Sequence, residues 1–198
     1  MKKDFVYLAS ASPRRSELLR QIGVRFSVRA AAIAEEALPG EQPEAYVTRL
    51  AAAKAEAVWA AVADSLPVLG ADTAVVLDGA LLGKPENAAE AAAMLERLSG
   101  RTHRVLTGVA VRHAGGLDTR LSASEVRFRA TTPAERLAYC ATGEPFDKAG
   151  SYGIQGHAAV FVEELKGSYS GVVGLPLFET AALLARCGVG FWLTARAA

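Results

Sequence analysis

Cysteine is scarce in this chain, and what little there is rules out a disulfide framework. Cys140 and Cys187 lie far apart in apolar surroundings and read as buried thiols of a reducing compartment. The three histidines, His103, His113 and His157, lack metal-ligand spacing, which argues against a zinc site. Charge of either sign is not in excess. A net +1 provides no global field for nucleic acid or a membrane surface, so any anion site must be local. No stretch approaches the length of a membrane-spanning helix. Met1-Lys2-Lys3 looks like the start of a signal peptide, but the apolar run after Asp4 is short and Arg14-Arg15 closes it, so a cytoplasmic protein is expected. A Gly-Lys-Ser/Thr phosphate loop and a Gly-x-Gly-x-x-Gly turn are both missing. Internal repeats and low-complexity tracts are missing too. With 51% hydrophobic residues and 22% charged ones over 198 positions, residues 1–198 are expected to form one domain with an ample core and room for two lobes.

The organising stretch is Tyr7-Leu8-Ala9-Ser10-Ala11-Ser12-Pro13-Arg14-Arg15-Ser16-Glu17-Leu18-Leu19. Phe5 to Ala9 is β-prone. Ser12 and Pro13 mark a helix start, and Gly23 marks its end. Arg14 and Arg15 sit in the first helical turn, where cations are unfavourable by roughly 0.3–1 kcal/mol each. A bound anion would reverse that sign, since free N–H groups, two guanidinium forks and serine hydroxyls would converge on it. The stretch therefore reads as a phosphate cradle or as a solvated basic turn.

Val24 to Val28 alternates as a strand expected to pair with the first. Ala31 to Pro39, carrying Glu35-Glu36, is a loop or short strand. A helix is expected from Pro43 to about Ala63, with Val47, Leu50, Lys54, Val58 and Val62 on its inward stripe. Lys54 on that stripe either snorkels to the edge or aims at a buried anion. Pro67 to Leu77 is apolar almost throughout and should be a central strand covered on both faces. Asp72 interrupts it, either as a turn residue at a strand end or as a metal-binding or basic carboxylate. Asp78-Gly79 predicts a hairpin turn into Ala80–Leu82. Asn87 with Glu90 opens a helix facing inward through Ala91, Met94, Leu95 and Leu98. His103–Arg112 and Leu117–Phe128 read as a half-exposed antiparallel pair, with His103 and His113 on the strand surface. Thr132, Pro133 and Glu135 open a helix running to about Thr142. Gly150, Gly153 and Gly156 recur in a segment that is either a backbone-rich loop approaching a ligand or a plain surface loop. A strand at Val160–Leu165, a helix at Pro176–Arg186 and an edge strand at Phe191–Thr194 complete the chain.

These stretches, taken in order, resemble the Maf nucleoside triphosphate pyrophosphatases. The resemblance rests on Ser10-Ala11-Ser12-Pro13-Arg14-Arg15, Leu69-Gly70-Ala71-Asp72-Thr73, Gly83-Lys84-Pro85, Leu98-Ser99-Gly100 with Thr102-His103, Asp147 to Gly156, and Val173-Gly174-Leu175-Pro176. Gly153-Ile154-Gln155-Gly156, followed by Gly167-Ser168-Tyr169, is similar to the dTTP/UTP branch. The resemblance implies an α/β fold similar to inosine triphosphatases: an elongated mixed sheet with flanking helices, two lobes and a deep cleft. It implies hydrolysis of dTTP and UTP to monophosphate and pyrophosphate with a divalent cation, Mg²⁺ or Mn²⁺, and often a homodimer, with no nucleic-acid or membrane partner. By motif, Asp72 is the proton acceptor. Arg14, Thr73 and Gln155 match specificity positions, and Ser10, Arg15, Lys54 and Lys84 match phosphate contacts. Glu36 joins Asp72 as a metal ligand. His157 lies outside the family pattern.

Overall fold

The computed structural model describes residues 5–192. The β-prone start forms β1 (Phe5–Leu8), whose Val6 and Leu8 are fully buried. Helix α1 (Pro13–Gln21) follows, with Pro13 at its first position and Gly23 at φ 70° beyond its end. The chain returns as β2 (Arg25–Val28), parallel to β1 with Phe5 opposite Arg25 and Leu8 opposite Val28. A parallel return needs a crossover, which α1 supplies. Ala31 to Pro39 is loop. Helix α2 (Pro43–Ala61) is the second crossover and leads to β3 (Val68–Leu77), also parallel to β1, with Tyr7 opposite Val68.

With β4 (Ala80–Leu82), β5 (Thr102–His113), β6 (Gly116–Phe128) and β7 (Val162–Lys166), the described residues form a seven-stranded sheet hydrogen-bonded in the order β2-β1-β3-β5-β6-β7, with β4 on β3. This is the expected mixed α/β sheet with helices between its strands. The chain divides into two compact units.

The first unit comprises residues up to Asp72, Thr107–Ser122 and the chain from Gly174. Its core includes Ala9, Ala51, Ala55, Val58, Val68 and Ala110, with Tyr7 and Trp59 packed against them. Alanine and glycine dominate this contact for a steric reason. A Cβ on Gly70 of β3 would lie 2.2 Å from the Ala51 carbonyl of α2, and one on Gly108 would lie 2.4 Å from that of Val47. The helix backbone therefore rests directly on the strands. Helix α6 (Leu177–Arg186) ends this unit, and Phe191 and Trp192 are not in a strand. Leu193 and Thr194, the rest of the expected edge strand, lie outside the described residues.

The second unit comprises Thr73–Leu106 and Ala123–Val173. Asp78 and Gly79, at φ 54° and 79°, turn β3 into β4 (Ala80–Leu82), both in the left-handed region that a two-residue hairpin of this type demands. Helix α3 (Ala88–Leu98) starts at Asn87, whose side chain accepts from Glu90 N, and buries the four expected residues. The long strands β5 (Thr102–His113) and β6 (Gly116–Phe128) are neighbours, but β5 is far more buried than half-exposed because it lies between β3 and β6. Helix α4 (Pro133–Ala141) opens with a full capping box between Thr132 and Glu135. Three 3₁₀ turns follow, at Glu144–Asp147, Ala149–Ser151 and His157–Phe161. The last of these delays β7 (Val162–Lys166) relative to the expected start at Val160. A short helix α5 (Tyr169–Val173), not expected from the sequence, is held where Ser168 Oγ accepts from Gly171 N.

His103 is not a surface residue. It is 2% exposed, with Nε2 2.8 Å from the Tyr152 hydroxyl and its ring edge-on to Phe128 and Tyr152. Burial lowers its pKa to about 4. His113 is half-buried, with Nε2 3.2 Å from Asp118.

Candidate active site

The first unit gathers one polar cluster around the end of β1. Ser10 is buried just beyond that strand. Its Oγ accepts from Ser12 N at 3.2 Å, and Arg15 Nη1 donates to it at 2.9 Å. Arg15 Nε donates to the Gly174 carbonyl at 2.7 Å, which fixes the guanidinium plane. Helix α1 has neither a side-chain cap hydrogen bond nor an acid in its first turn, so that turn does not itself neutralise the positive end of the helix dipole. Arg14 is half-buried beside Arg15. Burial lowers the pKa of Arg15, Asp72 and Glu35 raise it, and Arg14 lowers it, so these four charges lie within one field.

Lys54 resolves the choice its stripe position left open. It is buried on α2, and Nζ donates to Asp72 Oδ1 at 2.6 Å and to Glu35 Oε1 at 2.6 Å. The anion it aims at belongs to the chain itself. Asp72 stands in the interior of β3, not at a strand end, with its side chain 10% exposed. Burial raises its pKa, and that outweighs the charge and hydrogen bond of Lys54 and the charge of Arg15, which lower it.

The acid beside Lys54 is Glu35, not Glu36. Tyr46 of α2 donates to the Glu35 carbonyl at 2.8 Å, and Arg49 Nη2 to the Glu36 carbonyl at 3.0 Å. Arg49 also grips Glu41 through both carboxylate oxygens, at 2.6 and 2.7 Å, and this hydrogen bonding holds the Glu41 pKa down at about 2. The loop is thus strapped to α2 at the two acids and again beyond them at Glu41. The Glu36 side chain is exposed. Two adjacent acids in a loop carry no periodicity to say which one faces inward, and the anchors Tyr46 and Arg49 gave no sequence signal; Gly174 stood in a family motif that did not reveal its contact with Arg15.

Thr73, Lys84 and Gln155 belong to the second unit. Thr73 is half-buried, next after Asp72 on β3. Lys84 is exposed in its Gly-Pro loop, which is tied to the Gly-rich segment where Gly150 N donates to the Gly83 carbonyl at 2.9 Å. Gln155 is exposed at a turn closed by Gly156 N donating to the Gly153 carbonyl at 3.0 Å. A separate cavity of about 850 Å³ in the first unit, lined by Tyr7, Arg29, Val62 and Asp64 among others, includes none of the expected site residues. Among the described residues no three His, Cys, Asp or Glu side chains converge as an all-protein metal cage, and no helix is long and apolar enough to cross a membrane.

The family model described as "Maf-like protein" matches residues 5–187. A dTTP/UTP pyrophosphatase of Aromatoleum aromaticum is 55% identical over 200 residues, covering 92% of this chain and 95% of that protein. A dTTP/UTP pyrophosphatase of Burkholderia thailandensis is 55% identical over 199 residues, covering 94% and 95%. Among solved structures, the Ham1 protein of Staphylococcus aureus aligns over 63% of this chain and 71% of its own, at 14% identity and a TM-score of 0.46.

Proposed function

Because the chain belongs to the Maf-like protein family, we propose that it hydrolyses dTTP and UTP to the nucleoside monophosphate and pyrophosphate. The observation that carries this reading is the buried Lys54–Asp72 pair. An interior carboxylate kept beside a cation, with Arg15 and Ser10 in the same cluster, suits a reaction that needs both charge neutralisation and a proton acceptor.

Arg14, Arg15, Lys54, Lys84 and the Ser10 hydroxyl bind the triphosphate and stabilise the negative charge that builds on its oxygens. Asp72 accepts the proton of the attacking water, a role worth on the order of 10²–10⁴-fold in rate. Lys54 holds one oxygen of that carboxylate and so orients the other. The raised Asp72 pKa brings it nearer to that of a useful base.

The donor set also fits a divalent cation. Two carboxylates, Asp72 and Glu35, meet at Lys54 without a third, and Mg²⁺ is commonly held by one or two carboxylates plus substrate phosphates. Glu35 replaces Glu36 in this proposal because it is the acid set against Lys54. When bound, the cation neutralises phosphate charge and lowers the pKa of a coordinated water.

Base choice falls to Gln155, with Thr73 and Arg14. A primary amide offers an acceptor and a donor side by side, which matches the N–H and carbonyl of the uracil or thymine edge. Cytosine inverts part of that pattern and leaves buried groups unpaired. For Thr73, Lys84 and Gln155 the support is the motif alone.

Pyrophosphate release from UTP, dTTP, CTP, 5-methyl-UTP and 7-methyl-GTP, with and without Mg²⁺, tests the reading. Turnover of the uracil and thymine nucleotides, dependent on Mg²⁺ and lost in Asp72→Asn, is the expected result. Nucleotide binding without turnover, or full activity in Asp72→Asn, overturns it.

A further inference from the structure

The turn that carries Gln155 is fastened at both feet to one carboxylate. Glu144, at the start of the first 3₁₀ turn, is 15% exposed at its side chain. Its Oε2 accepts from His157 N at 2.8 Å and lies 2.8 Å from His157 Nδ1. Its Oε1 accepts from the Tyr139 hydroxyl at 2.8 Å, and that hydroxyl accepts from Gly153 N at 3.3 Å. Gly153 and His157 bracket Gln155 by two residues on either side.

The glycines on this turn make room for the clasp. A Cβ on Gly156 would lie 2.3 Å from both Glu144 carboxylate oxygens, and one on Gly153 would lie 2.7 Å from Lys148 Cε and 3.3 Å from Glu144 Oε1. Close approach is what these positions require, and the group that approaches is the chain's own. Lys148 braces the clasp from behind, with Nζ donating to the Glu144 carbonyl and to Asp147 Oδ1, each at 2.6 Å. Burial acts to raise the Glu144 pKa, but the His157 and Tyr139 hydrogen bonds and the Lys148 charge leave it lowered, so the acid stays ionised. Burial, then the bond to Glu144, raises the Tyr139 pKa, so its hydroxyl keeps the proton it donates. His157, which lies outside the family motif, is one of the two feet.

We propose that Glu144 is a positioning residue for nucleobase selection. It touches no reacting group but holds the Gly153–His157 turn so that the Gln155 amide meets the base in one orientation. This rests on the assignment of Gln155 as base reader. Preorganisation of this kind affects discrimination more than chemistry, because a loose amide can turn to pair with the wrong edge.

The experiment measures kcat and KM for UTP and CTP in the wild type, Gln155→Ala, Glu144→Ala and Glu144→Gln. The expected result is that Glu144→Ala lowers the UTP-over-CTP ratio of kcat/KM by ~10-fold or more, chiefly through KM for UTP. Glu144→Gln, which keeps an acceptor for His157 N, should retain most of the ratio. A merely structural role would lower both substrates alike and leave the ratio unchanged, and that outcome overturns the proposal. If Gln155→Ala loses discrimination while Glu144→Ala keeps it, only the Glu144 role falls. If Gln155→Ala keeps discrimination, the base-reading assignment fails and takes this one with it. Should Glu144→Ala fail to fold, Tyr139→Phe removes the Gly153 foot alone; a smaller loss of the same ratio supports the clasp, and an unchanged ratio overturns it.

Discussion

Lys54 Nζ donates to Asp72 Oδ1 at 2.6 Å, with both side chains only 10% exposed. Two buried charges in contact do little for net stability, but removing one strands the other. Lys54→Met should therefore cost about 3 kcal/mol in urea unfolding and abolish pyrophosphate release. The double variant Lys54→Met/Asp72→Asn should recover part of the stability and none of the activity. Recovery of activity in the double variant would mean that the pair only holds the fold.

Asp72 should titrate above the ordinary aspartate value of about 3.9 in the metal-free protein, because burial outweighs Lys54 and Arg15. Its folded-state pKa being raised, the stability this group contributes is full below the unfolded value and is lost as pH rises through the folded one. A carboxyl-carbon NMR titration, assigned by its loss in Asp72→Asn, reads the pKa directly. Adding Mg²⁺ should lower it, since a nearby cation favours the ionised form. A titration that does not move with Mg²⁺ would remove Asp72 from the proposed cation ligands.

Gly70 and Gly108 set how closely α2 rests on the sheet, and so where Lys54 ends up. Alanine would ordinarily be the better strand residue by roughly 0.5–1 kcal/mol. Here its methyl would overlap the Ala51 or Val47 carbonyl. Backbone cannot swing aside as a side-chain tip can, so each substitution should cost about 1–3 kcal/mol. In a chain of this length that is a fall in Tm of roughly 3–10 °C. A Cβ at Gly83 meets nothing within 4 Å, so Gly83→Ala should leave Tm unchanged. Equal Tm values for all three variants would contradict the close contact.

What was legible in the sequence was whatever local chemistry decides. Ser12-Pro13, Asp78-Gly79, Asn87 with Glu90 and Thr132 with Glu135 each act within a few residues, and the structure places a helix start or turn at every one. The mixed sheet itself came from the family resemblance, not from the pattern of the stretches. Long-range contacts were not legible. Whether Glu35 or Glu36 faces Lys54 depends on Tyr46 and Arg49 pinning the loop from α2. The glycines at 153 and 156 suggested room for a ligand because nothing local reveals that Glu144 fills it. Lys54 and Asp72 stood out one by one as charges in apolar settings, but their meeting depends on the packing of α2 against β3.

His103 shows the same limit and leads to a prediction about pH. Alternation placed it on a strand surface, yet it is walled in by Phe128 and Tyr152, and its Nδ1 has no hydrogen-bond partner. An imidazolium there would be an unpaired buried charge, so burial lowers the pKa to about 4, from 6.5 when free. A depressed folded-state value means that the stability is fully present above pH 6.5 and is lost as pH falls towards 4. At 1.36 kcal/mol per pH unit, the whole loss is roughly 3 kcal/mol. Glu41 and Glu135, held near 2 by Arg49 and Arg129, lose their contributions only below their unfolded values near 4.5, so the two windows barely overlap. His103→Gln keeps a polar group for Tyr152 and removes the titration. Its Tm should lie below that of the wild type at pH 7.5, and the gap should close or reverse at pH 4.5. Parallel Tm profiles for the two proteins between those pH values would show that His103 is not the neutral, enclosed imidazole described here.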